Sequence, residues 1–158
     1  MNTLHFYLEV PGTPIAKGRP RMTKQGHTYT PARTRNYEAD LRVLAKQRMQ
    51  GKAPMAGPLT VEITAYMPMP RSWPKWKREL VNDQGACIKH TSKPDVDNLG
   101  KIIDGLNGVV WIDDSQIADL VIRKRYDEKP RLTIIVQHDA QAIHSKTKHK
   151  PSKGIENI

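Results

Sequence analysis

The chain has a single cysteine, Cys87, in 158 residues. One thiol excludes an intramolecular disulfide and cannot by itself furnish a cysteine-rich zinc site, so a cytoplasmic location is expected. Apolar runs are short. None approaches the roughly 18 residues of a membrane helix, and no membrane partner is expected. The first residues, Met1-Asn2-Thr3-Leu4-His5-Phe6, lack the charged and apolar regions of a signal peptide. Neither Gly-x-x-x-x-Gly-Lys-Ser/Thr nor Gly-x-Gly-x-x-Gly occurs, which removes the P-loop and dinucleotide-binding readings. The six histidines are scattered, three of them between His138 and His149, which argues against a histidine-based metal or acid–base site. His90 is the exception, since it lies just ahead of the window described next. Internal repeats are absent.

Acids are also scarce, 16 against 26 Lys and Arg, for a net charge of +10. They are unevenly placed. Residues 1–52 hold ten basic residues against three acids, and residues 68–93 six against two. Residues 94–128 reverse the balance, four against eight, and residues 129–158 return to six against two. Crowded carboxylates repel one another unless a cation or basic partner neutralises them. An acidic centre framed by basic flanks is the layout expected of a nuclease: the flanks meet phosphates by counterion release, and the carboxylates hold a metal.

Leu4–Val10 reads as a strand closed by Pro11-Gly12. A basic loop follows, with a hairpin predicted around Gln25-Gly26. Its Lys17, Arg19, Arg21 and Lys24 are candidate phosphate contacts, the alternative being a merely solvated loop. Thr30-Pro31 signals a helix start, with Thr30 as N-cap and Pro31 at the first helical position, and the helix should run to about Gln50 and end at Gly51. Tyr37, Leu41, Leu44, Ala45 and Met49 recur at helical spacing, and Arg33, Arg35, Arg42, Lys46 and Arg48 cover much of the remainder as a solvated or DNA-facing surface. Leu59–Met67 is apolar at every odd position and is the clearest strand. Residues 72–80 predict a short basic helix whose Trp73 and Trp76 either pack or stack on bases. The segment up to Ser92 has no strong period and is expected to be a mobile loop.

From Asp95 a helix is predicted to about Asn107, with Gly108 as its left-handed C-terminal residue. Leu99, Ile102, Ile103 and Leu106 form its buried stripe, and Asp97, Lys101 and Asp104 its opposite side. Asp95, after Pro94, belongs at the N-cap, where extended dihedrals can bring it alongside Asp97. Val109–Ile112 reads as a short buried strand delivering Asp113-Asp114. Ile117 to about Tyr126 and Arg131–Gln137 complete the sheet. The expected fold class is α+β, or mixed α/β: a small sheet of four to five strands with two main helices. The domain should occupy residues 1–139, and residues 140–158 a basic, disordered tail.

Asp95, Asp97 and Asp114 offer the hard oxygen donors that Mg²⁺ prefers. The alternative is ordinary: acids at a helix start and an Asp pair in a turn. The pattern Asp95-Val96-Asp97-Asn98-Leu99-x-Lys101, then Asp104-x-Leu106, then Trp111-x-Asp113-Asp114-x-Gln116, resembles the RusA family of Holliday junction resolvases over about 25 residues, with weaker likeness outside it. The resemblance implies that Asp95, Asp97 and Asp114 are the catalytic, metal-holding carboxylates, with Asp113 as the alternative third ligand, and that Lys101 is the functional lysine. It also implies Mg²⁺ dependence (Mn²⁺ as a substitute), a homodimer, and paired nicking of a four-way junction. Arg71, Lys75, Lys77 and Lys93 join the basic-loop residues as candidate DNA contacts. Rival readings are a nuclease for other branched DNA, such as flaps or forks, and a junction-binding protein without activity. Trp73, Trp76 and Trp111 are the candidates for dimer-interface surface.

Overall fold

Alternating apolar residues produce one-sided strands, and the strands here share a single core. The computed structural model describes residues 4–138. The predicted tail therefore lies outside the described residues. In chain order the elements are β1 (Leu4–Pro11), a hairpin of β2 (Arg21–Met22) and β3 (Thr28–Tyr29), α1 (Ala32–Met49), β4 (Leu59–Pro68), α2 (Lys75–Asn82), α3 (Val96–Gly100), two 3-10 segments (Lys101–Leu106 and Asp114–Gln116), β5 (Ile117–Asp127) and β6 (Arg131–His138). The main sheet has the order β1-β6-β4-β5. Its first two pairings are antiparallel, and β4 lies parallel to β5. The fold is α+β, as expected.

The odd residues of β4 (Leu59, Val61, Ile63, Ala65 and Met67) are buried, while the even ones are not. Register places Phe6, Leu8 and Val10 of β1 and Leu132, Ile134 and Val136 of β6 on the same face. Against that face pack Tyr37, Leu41, Ala45 and Met49 of α1 and the stripe Leu99, Ile102, Ile103 and Leu106, all in one core cluster. The opposite face carries cross-strand polar pairs: Glu62 lies 3.6 Å from Arg123, and Glu9 3.3 Å from Arg131.

Several local expectations change. The first helix begins one residue later than predicted: Pro31, with ψ of 142°, stands outside it as the N-cap residue. Its C-terminus follows the expected pattern, with Gln50 and Gly51 both left-handed. The short helix starts at Lys75, after Pro74. The central helix is α-helical only through Gly100 and tightens to a 3-10 helix from Lys101 to Leu106. Arg42 of α1 supports this tighter end by donating to the carbonyls of Gly105 (3.2 Å) and Asn107 (3.0 Å), so it is neither solvated nor free for DNA. Gly108 has the expected positive φ, 76°.

Val109–Ile112 is not a strand. It is a compact turn in which the amides of Val109 and Val110 both donate to the Leu106 carbonyl, and Trp111 joins Met55 and Asn107 through isolated bridges. Trp111 is fully buried and donates through its indole N–H to Asn107 Oδ1 at 2.6 Å. It therefore belongs to the core and not to an interface. Trp73 packs against Tyr126, with Lys77 over its ring, while Trp76 is exposed. The segment before Ser92, expected to be a mobile loop, is bonded along β5: the His90 amide donates to the Lys124 carbonyl, and the Tyr126 amide to the Ile88 carbonyl.

Candidate functional site

The predicted acidic residues arrive from three places. Asp95 is the N-cap residue of α3, with extended dihedrals (φ −71°, ψ 149°) as expected after Pro94. Asp97 lies in the first turn of α3, and Lys101 one turn on, with its ammonium 3.8 Å from the Asp97 carboxylate. Asp114 comes from the 3-10 turn that leads into β5. Asp97, Lys101, Asp104 and Asp114 line one open cleft of about 600 Å³, floored by Ile103, Ile117 and Ile122.

Gly100 permits this approach. A Cβ there would sit 2.7 Å from Ile122 Cδ1, so a side chain would force α3 away from β5, or Ile122 out of place. Packing α3 closely on β5 is what brings Asp97 and Lys101 towards Asp114.

The two adjacent acids of the turn are chemically distinct. Asp113 is committed to local structure: its carboxylate accepts from the Ser115 amide and hydroxyl, and this holds its pKa below the usual range. Gln116 completes the capping box by accepting from the Ile112 and Asp113 amides, both at 2.9 Å, and its amide nitrogen donates to Met55 and Gly57. Asp113 is thereby occupied in bending the chain, while Asp114 faces the cleft. Of the two sequence candidates for the third carboxylate, Asp114 is the one that lines the cleft.

Asp95 does not line that cleft. Lys93 binds both of its oxygens, at 2.7 and 2.8 Å, and this hydrogen bond, with the charges of Lys93, Lys124 and Arg19, lowers its pKa. Among the described residues, no group of three Asp, Glu, His or Cys side chains converges closely enough to form a ready-made metal cage. The donor set nonetheless fits Mg²⁺, which retains waters and needs only one or two protein carboxylates beside substrate phosphate oxygens.

Sequence reasoning missed two supports. Lys124 of β5 donates to the carbonyls of Ser92 and Pro94, both at 2.8 Å, and so holds the segment that presents Asp95. Lys17, a candidate phosphate contact, instead reaches Asp104 at 3.0 Å and Glu38 at 3.4 Å, while its amide donates to the Asn98 carbonyl at 3.0 Å. It ties the basic loop to α1 and to the carboxylate-bearing segment. Neither role has a local signature, because each joins residues far apart in the chain. Of the other candidate DNA contacts, Arg19, Arg21, Lys24, Lys75 and Lys93 are exposed, as is Arg71, and Lys75 sits 3.7 Å from Glu79.

The family model described as "Endodeoxyribonuclease RusA" matches residues 11–137. The chain belongs to the RusA endodeoxyribonuclease family. RusA membership assigns it to the hydrolases that cleave phosphodiester bonds within DNA and act on junction DNA. The matched span runs from the end of β1 into β6 and contains the whole acidic window. A protein of Bacillus subtilis (strain 168) that carries the name "Uncharacterized protein YqaN" is 33% identical over 130 residues, covering 80% of this chain and 91% of that protein. Among the described residues, no helix is long and apolar enough to cross a membrane.

Proposed function

We propose that this RusA-family protein is a Mg²⁺-dependent endonuclease that resolves four-way DNA junctions, acting as a homodimer that nicks two opposed strands. The observation that carries the reading is that Asp97, Lys101 and Asp114, drawn from two separate segments, line one cleft in a strongly basic chain.

Asp97 and Asp114, with Asp95 once its pairing with Lys93 is exchanged for metal, would hold the divalent cation. Bound there, the cation would supply a nucleophilic water at neutral pH and offset charge on the phosphoryl group. Mn²⁺, also a hard cation, is the expected substitute. Lys101 is exposed, and its ammonium can pass from Asp97 to a non-bridging phosphate oxygen, stabilising the charge that grows during attack. Lys93, released from Asp95, would meet a neighbouring phosphate. Arg19, Arg21, Lys24, Arg71, Lys75 and Lys77 would grip the arms through phosphates, giving sequence-tolerant, salt-sensitive binding. Lys17 is engaged within the protein and is left out of this set. Two such sites about a two-fold axis match a nearly two-fold-symmetric junction.

The deciding experiment compares wild-type protein and Asp97→Asn on four-way, three-way and linear DNA, with Mg²⁺ and with chelator. Loss of cleavage in the variant with junction binding preserved is expected. Unchanged cleavage would end the catalytic reading, and equal cleavage of flaps or forks would redirect it to branched DNA in general.

A further inference from the structure

A second concavity opens where the chain leads into Asp95. Lys93 and Pro94 line it, Asp95 follows, and Val96 and Asp97 already belong to the acidic cleft. Its volume is about 630 Å³, within the ~300–1,000 Å³ of sites that enclose a small ligand. Four cationic residues line it, Arg19, Arg21, Arg33 and Lys93, and no carboxylate does. The remaining wall is largely apolar and includes Pro14, Pro31, Pro94 and Met67.

This wall is held in place. The Gly18 amide donates to the buried Thr34 hydroxyl at 3.1 Å, and a Cβ on Gly18 would lie 3.2 Å from that oxygen and 3.3 Å from Pro31 Cγ. The neighbouring Lys17 amide is bonded to Asn98. The basic loop is thus anchored to both α1 and α3, and the cavity between them is formed before any ligand arrives.

A row of duplex phosphates would need only a cationic surface. An apolar recess ringed by cations suits a whole nucleotide, the base against proline rings and Met67, and its phosphate against the arginines. We propose that this recess takes one unstacked nucleotide of the cleaved strand, next to the scissile phosphate, and that it creates the preference for branched over linear DNA. Unstacking a base costs a few kcal/mol in a duplex and least where stacking is already interrupted, as at a branch point. The proposal rests on the endonuclease reading above and adds the feature of the substrate that the enzyme selects.

The test first maps the nick made by the wild-type protein in a four-way junction. 2-Aminopurine is then placed at each of the two nucleotides flanking that nick, and in a linear duplex of the same sequence. Binding to the junction should brighten one of the two positions severalfold and leave the linear duplex quenched. Arg33→Glu, an exposed change, should abolish the brightening and slow junction cleavage at least severalfold. Arg48→Glu, far along the same helix, should preserve the brightening. If the wild-type protein nicks the junction while both positions stay dark, or if Arg33→Glu brightens and cuts like wild type, the recess is not a nucleotide site, although the nuclease reading survives. Brightening of the linear duplex would overturn the claim about selectivity. Absence of any nick in branched DNA would overturn both readings.

Discussion

Replacing Lys17 with methionine keeps the aliphatic stem and removes the ammonium from a site where it meets two carboxylates. The side chain is 29% exposed, Glu38 22% and Asp104 44%, so the cluster is only partly screened by solvent. A charge-assisted hydrogen bond of this kind contributes about 1.5–3 kcal/mol when sheltered and an exposed pair about 0–1. The half-exposed Asp104 places the expected loss between these limits, at about 1–2 kcal/mol. For a domain of this size that lowers the melting temperature by roughly 3–8 °C. Calorimetry of Lys17→Met, Asp104→Asn and the double variant should show the two losses to be non-additive.

The pH dependence of the same variant is fixed in sign. Burial alone would lower the Lys17 pKa, but the hydrogen bond to Asp104 and the charges of Glu38 and Asp104 raise it above 10.5. A raised lysine pKa stabilises the fold fully below the unfolded value and loses that contribution as pH rises through the folded value. The gap between wild type and Lys17→Met should therefore persist up to about pH 10 and close only above it. A second readout separates clamp from DNA contact. A phosphate-bound lysine contributes about 0.9 to the slope of log affinity against log salt, whereas a lysine held by Asp104 contributes nothing. A reduced salt slope with no loss of melting temperature would refute the clamp.

The two acids of the returning turn should separate cleanly. Asp113→Ala removes the side chain that caps the turn and should lower the melting temperature, whereas Asp114→Asn should leave the melting temperature nearly unchanged and abolish cleavage. Parallel melts and nicking assays would show it. Gly100→Val drives a branched side chain against Ile122 and should cost about 1–3 kcal/mol, with a loss of cleavage that exceeds the loss of folded protein. His90 is buried beside Tyr126, and burial, with the Lys124 charge, lowers its pKa below 6.5. The unfolded chain thus binds the extra proton first, and stability should fall as pH drops below about 6.5. His90→Gln should flatten that decline in denaturant titrations at pH 7 and pH 5.

Local pattern carried most elements of the fold. Period-two alternation marked β4 before any partner was known, because a half-buried strand must alternate whatever lies beside it. Pro31 and Gly51 bracketed the first helix because one lacks an amide and the other accepts a left-handed backbone. The stripe Leu99, Ile102, Ile103 and Leu106 was legible although the helix is half 3-10, since its spacings of three, Leu99 to Ile102 and Ile103 to Leu106, keep residues on one side in either geometry. The same latitude is why the change of helix type was hidden. The turn at Val109–Ile112, buried up to Trp111 with Ile112 exposed, looked like a strand because four apolar residues in a row do not distinguish a turn from a buried strand.

By itself, then, the sequence determined most of the elements, the acidic window and the motif on which the family assignment stands. Tertiary structure alone decided the parallel pairing of β4 with β5, the division of labour between Asp113 and Asp114, and the partners of Lys17 and Lys124. The physical reason is separation along the chain. Dihedral preference and side-chain period act over a few residues, whereas Lys17 finds Asp104 across 87 positions. Such a contact exists only once Gly100 lets α3 settle onto β5 and Thr34 fixes the basic loop beside it.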